Sequence, residues 1–271
     1  MLLFSNAKIN LGLRVLSKRP DGYHNIETVM LPVGLSDMLE FVENSGTQTR
    51  FSNTGIDIGC TIEDNLVFKA FNLIRKDYQI PHLNIHLHKF IPHGAGLGGG
   101  SSNAAFMLKG LNDYFHLGLD IGKLENYAAI LGSDCPFFIR NTTCLASGIG
   151  EVLNEITLPG TFFMVLLYPG FPVSTRVAYN GINPWENGVS LISLLNEDPE
   201  NWRNIIINDF ESTVFLRHRT LANIKESLYE QGAIYASMTG SGSAMYGLFR
   251  EKPDLTEKTR EMLIWEGKVG K

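Results

Sequence analysis

Cysteine is scarce in this chain: Cys60, Cys135 and Cys144 form no Cys-x-x-Cys pair and leave one over. That argues against a disulfide framework and suits reduced thiols in the cytoplasm. Long apolar runs are missing as well. The longest, Phe162–Tyr168, falls far short of the roughly 20 residues a membrane helix needs, and Met1-Leu2-Leu3-Phe4 lacks the basic start and apolar stretch of a signal peptide. There is no basic run, and a net charge of −5 argues against a general nucleic-acid binder. Internal repeats and low-complexity tracts are absent. What is present is 271 residues, 44% hydrophobic and 19% charged, enough for one large domain or two modest ones around a real core.

Glycine is the residue used with most purpose. Pro92-His93-Gly94-Ala95-Gly96-Leu97-Gly98-Gly99-Gly100-Ser101-Ser102-Asn103-Ala104-Ala105 holds five glycines in seven residues. Its backbone can take positive φ, and no side chains stand between its N–H groups and a ligand. Ala104, Ala105, Met107, Leu108 and Leu111 follow at helical spacing, with Ser101, Ser102 and Asn103 as N-cap candidates. Loop N–H groups and a helix N-terminus then converge on one point, where a phosphate is the natural occupant.

Two other phosphate loops fit this stretch less well. Gly94-x-Gly96-x-x-Gly99 formally matches the dinucleotide fingerprint, but Leu83, Ile85 and Leu87 alternate with Asn84, His86 and His88 as in a half-exposed strand, not a buried parallel one. A Walker A loop needs Lys-Ser/Thr after its last glycine, and here Gly100 precedes Ser101-Ser102. A flexible linker would not carry an interleaved Leu and end in a cap.

Taken in order, Ala7–Val15 reads as a strand with Ile9, Leu11, Leu13 and Val15 on one face and Lys8, Asn10 and Arg14 on the other. Pro20-Asp21-Gly22 makes a turn that presents Tyr23 and His24, suited either to stacking on a base or to covering the core edge. Val29–Glu43 reads as strand with a break at Gly34, and Arg50–Thr61 as a turn-rich excursion. Asp64-Asn65 caps a helix with the stripe Leu66, Val67, Ala70, Phe71 and Ile74. Strand Leu83–Phe90, with His82 just before it, carries His86 and His88 near His93, which fit a solvent face better than a zinc site, and Lys89 stands close before the loop. A helix over Asp120–Leu131 leads to the lone acid Asp134, set between a helix end and an expected apolar strand around Phe137-Phe138. A hairpin turns at Ser147–Gly150, Phe162–Tyr168 is a buried strand, and a domain boundary falls near Pro159-Gly160. The second half offers Val173–Asn180 with Tyr179, helices near Ser190–Asn196 and Asp209–Gln231, and a strand Ala233–Ser237. Thr239-Gly240-Ser241-Gly242-Ser243 then makes a second glycine turn, able to close on the same phosphates.

Together, Ala7-Lys8-Ile9-Asn10-Leu11-Gly12-Leu13, Gly22-Tyr23-His24, the Pro92–Ala105 loop, Gly132-Ser133-Asp134-Cys135-Pro136-Phe137-Phe138 and the Thr239–Ser243 turn resemble the GHMP kinase superfamily over about residues 1–250. The resemblance implies an α+β protein of two domains: a ribosomal-protein-S5-like α/β domain over residues 1–158 and a ferredoxin-like domain over 159–271, with the active site in the cleft. It implies transfer of the ATP γ-phosphoryl, with Mg²⁺, to a hydroxyl of a small molecule carrying a cytidine diphosphate group, in non-mevalonate isoprenoid synthesis. Residue by residue, it makes Asp134 the acid that takes or orients the hydroxyl proton and Lys8 the cation beside it. Tyr23 and Tyr179 become a pair sandwiching the cytosine, His24 reads the base edge, and Asn10, Thr175, Gly240 and Ser241 contact substrate. Asn65, Lys89 and Pro92 flank the nucleotide, and Gly94, Ala95, Gly96, Leu97, Gly98, Gly99, Gly100, Ser101 and Ser102 hold its phosphates. The Mg²⁺ ligand is left open, with Ser102 a candidate. Other readings are a homoserine- or mevalonate-type GHMP kinase, or a non-catalytic nucleotide-binding module.

Overall fold

Two long strands open the computed structural model, which describes residues 1–185 and 188–270: β1 (Leu2–Lys18) and β2 (His24–Asn44). β3 (Arg50–Gly55), α1 (Leu66–Asp77), β4 (His82–Lys89), α2 (Gly99–Tyr114), α3 (Ile121–Leu131) and α4 (Cys135–Arg140) follow. Next come β5 (Cys144–Ser147), β6 (Val152–Glu155), β7 (Thr161–Leu167), α5 (Thr175–Tyr179), α6 (Leu191–Leu195) and α7 (Trp202–Ile205). The chain closes with α8 (Glu211–Arg217), α9 (Arg219–Glu230), β8 (Tyr235–Met238), β9 (Met245–Phe249), α10 (Glu257–Glu261) and β10 (Leu263–Gly270). One sheet has the order β3-β4-β2-β5-β6 with β1 on β2, and a second is β10-β7-β9-β8.

Contacts divide the chain into two compact units. The first holds Met1–Ala7, Leu35–His93 and Gly98–Thr142; the second holds Lys8–Gly34, Gly94–Leu97 and the chain from Thr143 onward. β1, β2 and the glycine loop each pass from one unit to the other. The units are therefore discontinuous in sequence, and the expected boundary at 158/159 lies inside the second.

In the first unit, β4 runs parallel to β3 and antiparallel to the end of β2, with Met38 opposite His88. The strand reading of β4 holds: Leu83, Ile85 and Leu87 are buried, and His86 and His88 face Ser52 and Thr54 of β3 through hydrogen bonds. α1 forms where expected, because Asn65 accepts from the Val67 N–H at 2.9 Å and Val67, Ala70, Phe71 and Ile74 form its buried stripe. α1 packs on α2 and α3, and α2 on α4.

In the second unit, a hairpin joins β5 to β6 as expected, and β7, β8, β9 and β10 are antiparallel. Leu221, Ile224 and Leu228 of α9 and Val214 of α8 cover that sheet through Val165, Leu167, Ala236 and Met245 in one buried cluster.

Several local expectations are corrected. β2 does not break at Gly34; a side chain there would meet the Trp265 ring at 3.2 Å, so the glycine makes room for an indole within an unbroken strand. The expected excursion from Arg50 begins with a strand, β3, recruited by its parallel ladder to β4. α2 is not capped by Ser101, Ser102 or Asn103. It starts at Gly99, with Gly98 as N-cap at φ +69, a conformation that suits glycine, and so those three residues lie in its first turns. Phe137 and Phe138 are helical, on α4, with Pro136 in its first turn. The expected helix over 209–231 is two, broken at His218.

Candidate active site

The glycine loop is held by its carbonyls. Val173 N–H donates to Gly94 O at 3.0 Å, Ala244 N–H to Ala95 O at 3.1 Å, and Lys8 N–H to Leu97 O at 3.0 Å, while the Thr239 hydroxyl donates to Gly96 O at 3.1 Å. Four consecutive carbonyls are thus turned toward the scaffold. In a trans peptide the N–H points opposite to the C=O, so the N–H groups of Ala95, Gly96, Leu97 and Gly98 point away from it. Gly94, Gly96 and Gly98 all have positive φ. Consecutive N–H groups presented between left-handed glycines are what an anion nest is built from.

The second glycine turn packs against this loop at the backbone. A Cβ at Gly96 would overlap the Thr239 carbonyl, and at Gly94 it would sit 2.7 Å from Pro172. Gly96→Ala therefore combines a left-handed φ, which alone is worth roughly 1–2 kcal/mol, with a backbone collision. We expect a lower melting temperature and a raised KM for ATP, measured on the same preparation. The turn itself is held by Asn208, whose amide donates to Met238 O at 2.7 Å and Gly240 O at 2.8 Å.

Lys8 and Asn10 are buried, at 4% and 2% exposure, so the polar face of β1 is not a solvated edge. Lys8 Nζ donates to Asn10 Oδ1 at 2.6 Å, and the Asn10 N–H donates to the Thr239 hydroxyl at 3.0 Å. The Thr175 and Ser241 hydroxyls lie 3.1 Å apart. Tyr23 is exposed at 61%, whereas the ring stacked on Tyr179 is His24, at 4.7 Å and 21°. The edge of Phe210 meets Tyr179 as well, at 4.7 Å and 75°, so a ligand ring reaches the stacked face of Tyr179 only by displacing His24. Burial, with the Lys18 charge adding to it, lowers the pKa of His24, which favours neutral imidazole with one donor and one acceptor nitrogen.

In the first unit, Asn65, Lys89, Pro92, Gly99, Gly100 and Asn103 line a cavity of about 130 Å³. Lys89 does not extend freely into it. The ammonium is buried, ion-paired to Asp37 and donating to Asn103 Oδ1 at 3.1 Å. Asp37, fully buried, also accepts from the N–H groups of Phe90 and Ile91 at 2.7 and 2.8 Å and from Asn103 Nδ2 at 2.9 Å. One carboxylate thus ties the chain entering the glycine loop to the helix leaving it. Sequence reasoning missed Asp37, although its parity with Leu39 and Phe41 put an acid on the buried face of β2.

Asp134 precedes α4 half-buried, and its carboxylate makes no capping bond to that helix. The next residue, Cys135, is buried against Ser101 of α2; burial pushes its thiol up to about 12, and the Ser101 hydrogen bond opposes that only in part. This inert thiol fastens the Asp134 turn to the first turn of the loop helix. Ser102 Oγ, also in that first turn, is fully buried with no hydrogen-bond partner. An orphaned hydroxyl there keeps its lone pairs unspent, the chemistry a ligand donor or a hard cation takes up. Among the described residues no cluster of three or more His, Cys, Asp or Glu could hold a metal, and no helix is long and apolar enough to cross a membrane.

An anion-binding glycine loop, a second glycine turn against it and a buried Lys-Asn pair are parts that a small-molecule kinase uses, and the family models agree. GHMP kinases N terminal domain matches residues 65–141, and GHMP kinases C terminal matches residues 190–263. Relatives bearing the name 4-diphosphocytidyl-2-C-methyl-D-erythritol kinase include one from Parabacteroides distasonis, 46% identical over 99% of this chain and 100% of its own length. Another, from Bacteroides thetaiotaomicron, is 48% identical over 95% of each. A crystal structure of 4-(cytidine 5'-diphospho)-2C-methyl-D-erythritol kinase superposes with a TM-score of 0.84 at 32% identity, covering all of both chains. The chain belongs to the GHMP kinases, in the branch of these relatives, and has their α+β, two-domain fold. It is a phosphotransferase that uses ATP and acts on an alcohol group of a small molecule.

Proposed function

We propose that this chain transfers the γ-phosphoryl of ATP to the 2-hydroxyl of 4-diphosphocytidyl-2-C-methyl-D-erythritol, a cytoplasmic step of non-mevalonate isoprenoid synthesis. The observation that carries the chemistry is the anchoring of the Gly94–Leu97 carbonyls, which aims consecutive loop N–H groups at one anion. Phosphoryl transfer needs alignment and charge neutralisation more than covalent help, and such a cradle supplies both. Asn65, Lys89 and Pro92 border the nucleotide, and the loop from Gly94 to Ser102 takes its phosphates. Asp134 orients the acceptor hydroxyl and takes its proton; Lys8, steadied by Asn10, offsets negative charge on the transferring group. Asn10, Thr175, Gly240 and Ser241 contact the acceptor, and the cytosine is sandwiched between Tyr23 and Tyr179, displacing His24 from its stack on Tyr179 to read the base edge. Residues 1–158 and 159–271 serve as the two domains of the family.

Mg²⁺ fits this site in that the orphaned Ser102 hydroxyl is a hard oxygen donor with no other partner. Ser102 would be its one protein ligand, the rest coming from nucleotide oxygens and water, and the ion supplies charge neutralisation on the phosphates.

A coupled assay of ADP release, run with and without the cytidylated acceptor, tests the reaction. Release that requires this acceptor is expected; robust turnover of homoserine, mevalonate or galactose instead would defeat the assignment. A pH series tests the base contact. Protonating His24 removes its acceptor nitrogen, and because burial lowers its pKa below the usual 6.5, the acceptor KM should be flat above that value and climb only in more acid solution.

A further inference from the structure

Thr28, which has no role in the transfer so far, sits at the centre of a buried relay that runs through Asn10 to Lys8. Its hydroxyl is 2.6 Å from the Gly12 carbonyl, which can only accept, so the Thr28 proton goes there. Toward Asn10 the same oxygen must therefore accept, and the group 3.0 Å away is Asn10 Nδ2. That leaves Asn10 Oδ1 on the other side, where it receives Lys8 Nζ at 2.6 Å. Exposure is 0% at Thr28, 2% at Asn10 and 4% at Lys8, so water is not at hand to replace a lost partner.

We propose that Thr28 is a positioning residue: by fixing which way the Asn10 amide faces, it fixes where the Lys8 ammonium stands. A primary amide can present either end to a neighbour, and only the oxygen end is compatible with a cation. Without the Thr28 hydroxyl, Asn10 Nδ2 loses its buried acceptor, and the amide, held on that side by Lys8 alone, shifts to find another and takes the ammonium with it. The relay lies wholly within one compact unit and shares no residue with the cavity bordered by Asn65 and Lys89. Its loss therefore affects the chemical step and spares nucleotide affinity.

This inference rests on Lys8 acting in the transfer, and the test separates the two. Thr28→Val keeps the shape and removes the hydroxyl; Thr28→Ser keeps the hydroxyl. We expect kcat of Thr28→Val to fall by about tenfold to a hundredfold, the scale of a catalytic group displaced by a fraction of an ångström to one ångström, with KM for ATP within about twofold of wild type. Thr28→Ser should stay within about threefold of wild type in kcat. A Thr28→Ser variant as slow as Thr28→Val would assign the effect to packing and overturn the proposal. Lys8→Met is measured alongside. If it is inactive while Thr28→Val turns over normally, the positioning role fails and the role of Lys8 stands; if Lys8→Met is fully active, both fail. Should Thr28→Val not fold, Thr28→Cys, whose thiol is a weak hydrogen-bonding group, is read in its place, and wild-type kcat there overturns the proposal.

Discussion

Asp134→Asn should lower kcat by roughly 10²–10⁴-fold, the range expected when a general base is removed from a proton transfer. The substitution is isosteric, and the Asp134 carboxylate does not cap α4, so the turn it occupies does not depend on a carboxylate for that purpose. The turn is fixed from its other side by Cys135 against Ser101 and by Pro136 in the first turn of α4. Nucleotide affinity should therefore hold, with KM for ATP within about twofold of wild type in the same assay. A hydroxyl is a poor nucleophile at neutral pH, and Asn can orient it without accepting its proton. The variant thus separates positioning from proton transfer. An unchanged kcat would take Asp134 out of the mechanism and leave the cradle and Lys8 to account for the rate; equal loss of kcat and of ATP binding would make it a structural residue.

What could be read in the sequence was whatever depends on neighbours a few residues away. α1 was legible because its cap and its stripe, Asn65 and Val67, Ala70, Phe71 and Ile74, lie within ten residues of one another. The anion loop was legible because glycines at 94, 96 and 98 and the helical run after them have a local cause. The start of α2 was misplaced by one turn because a left-handed glycine cap competes with three good side-chain caps, and composition cannot rank them. Phe137-Phe138 reads as strand by hydrophobicity alone; Pro136 in a first turn was the helical signal. β10 carries no clean alternation, since most of its residues are half-buried, and its strand character comes from pairing with β7 about a hundred residues earlier. At the site, Lys8 and Asp134 were named through a resemblance, whereas Thr28 and Asn208 gave no local signal, and the parity of Asp37 with Leu39 and Phe41 marked a buried acid without its partner. Each acts through a partner fixed only by strand register or by a turn far along the chain, as Asn208 does on Gly240. The stacking of His24 on Tyr179 has the same origin: 155 residues separate two rings that a local reading assigns independently.

The buried pair of Asp37 and Lys89 carries the largest expected effect on stability. Removing one member of such a pair leaves an uncompensated charge, which typically costs about 3–5 kcal/mol. Asp37→Leu is expected at the upper end, because it also strips acceptors from the N–H groups of Phe90 and Ile91 and from Asn103. For a chain of this length that corresponds to a melting temperature lower by roughly 10 °C or more. Asp37→Leu with Lys89→Met should recover part of the loss, since the stranded cation goes, but not all of it, since the two backbone donors remain unpaired. Melting temperatures of the two variants in one buffer decide this, and equal values would mean that the charge pair contributes nothing beyond its hydrogen bonds to the backbone. The pH dependence has a definite sign. Burial lowers the Lys89 pKa from 10.5, and Asp37 is what raises it back. Without Asp37 the folded state holds the Lys89 proton more weakly than the unfolded chain does, so unfolding takes up protons and stability rises with pH. The deficit of Asp37→Leu relative to wild type should therefore be greatest near neutral pH and shrink as the pH climbs toward 10.5, and a deficit that stayed constant across that window would show that Lys89 is not the group left stranded.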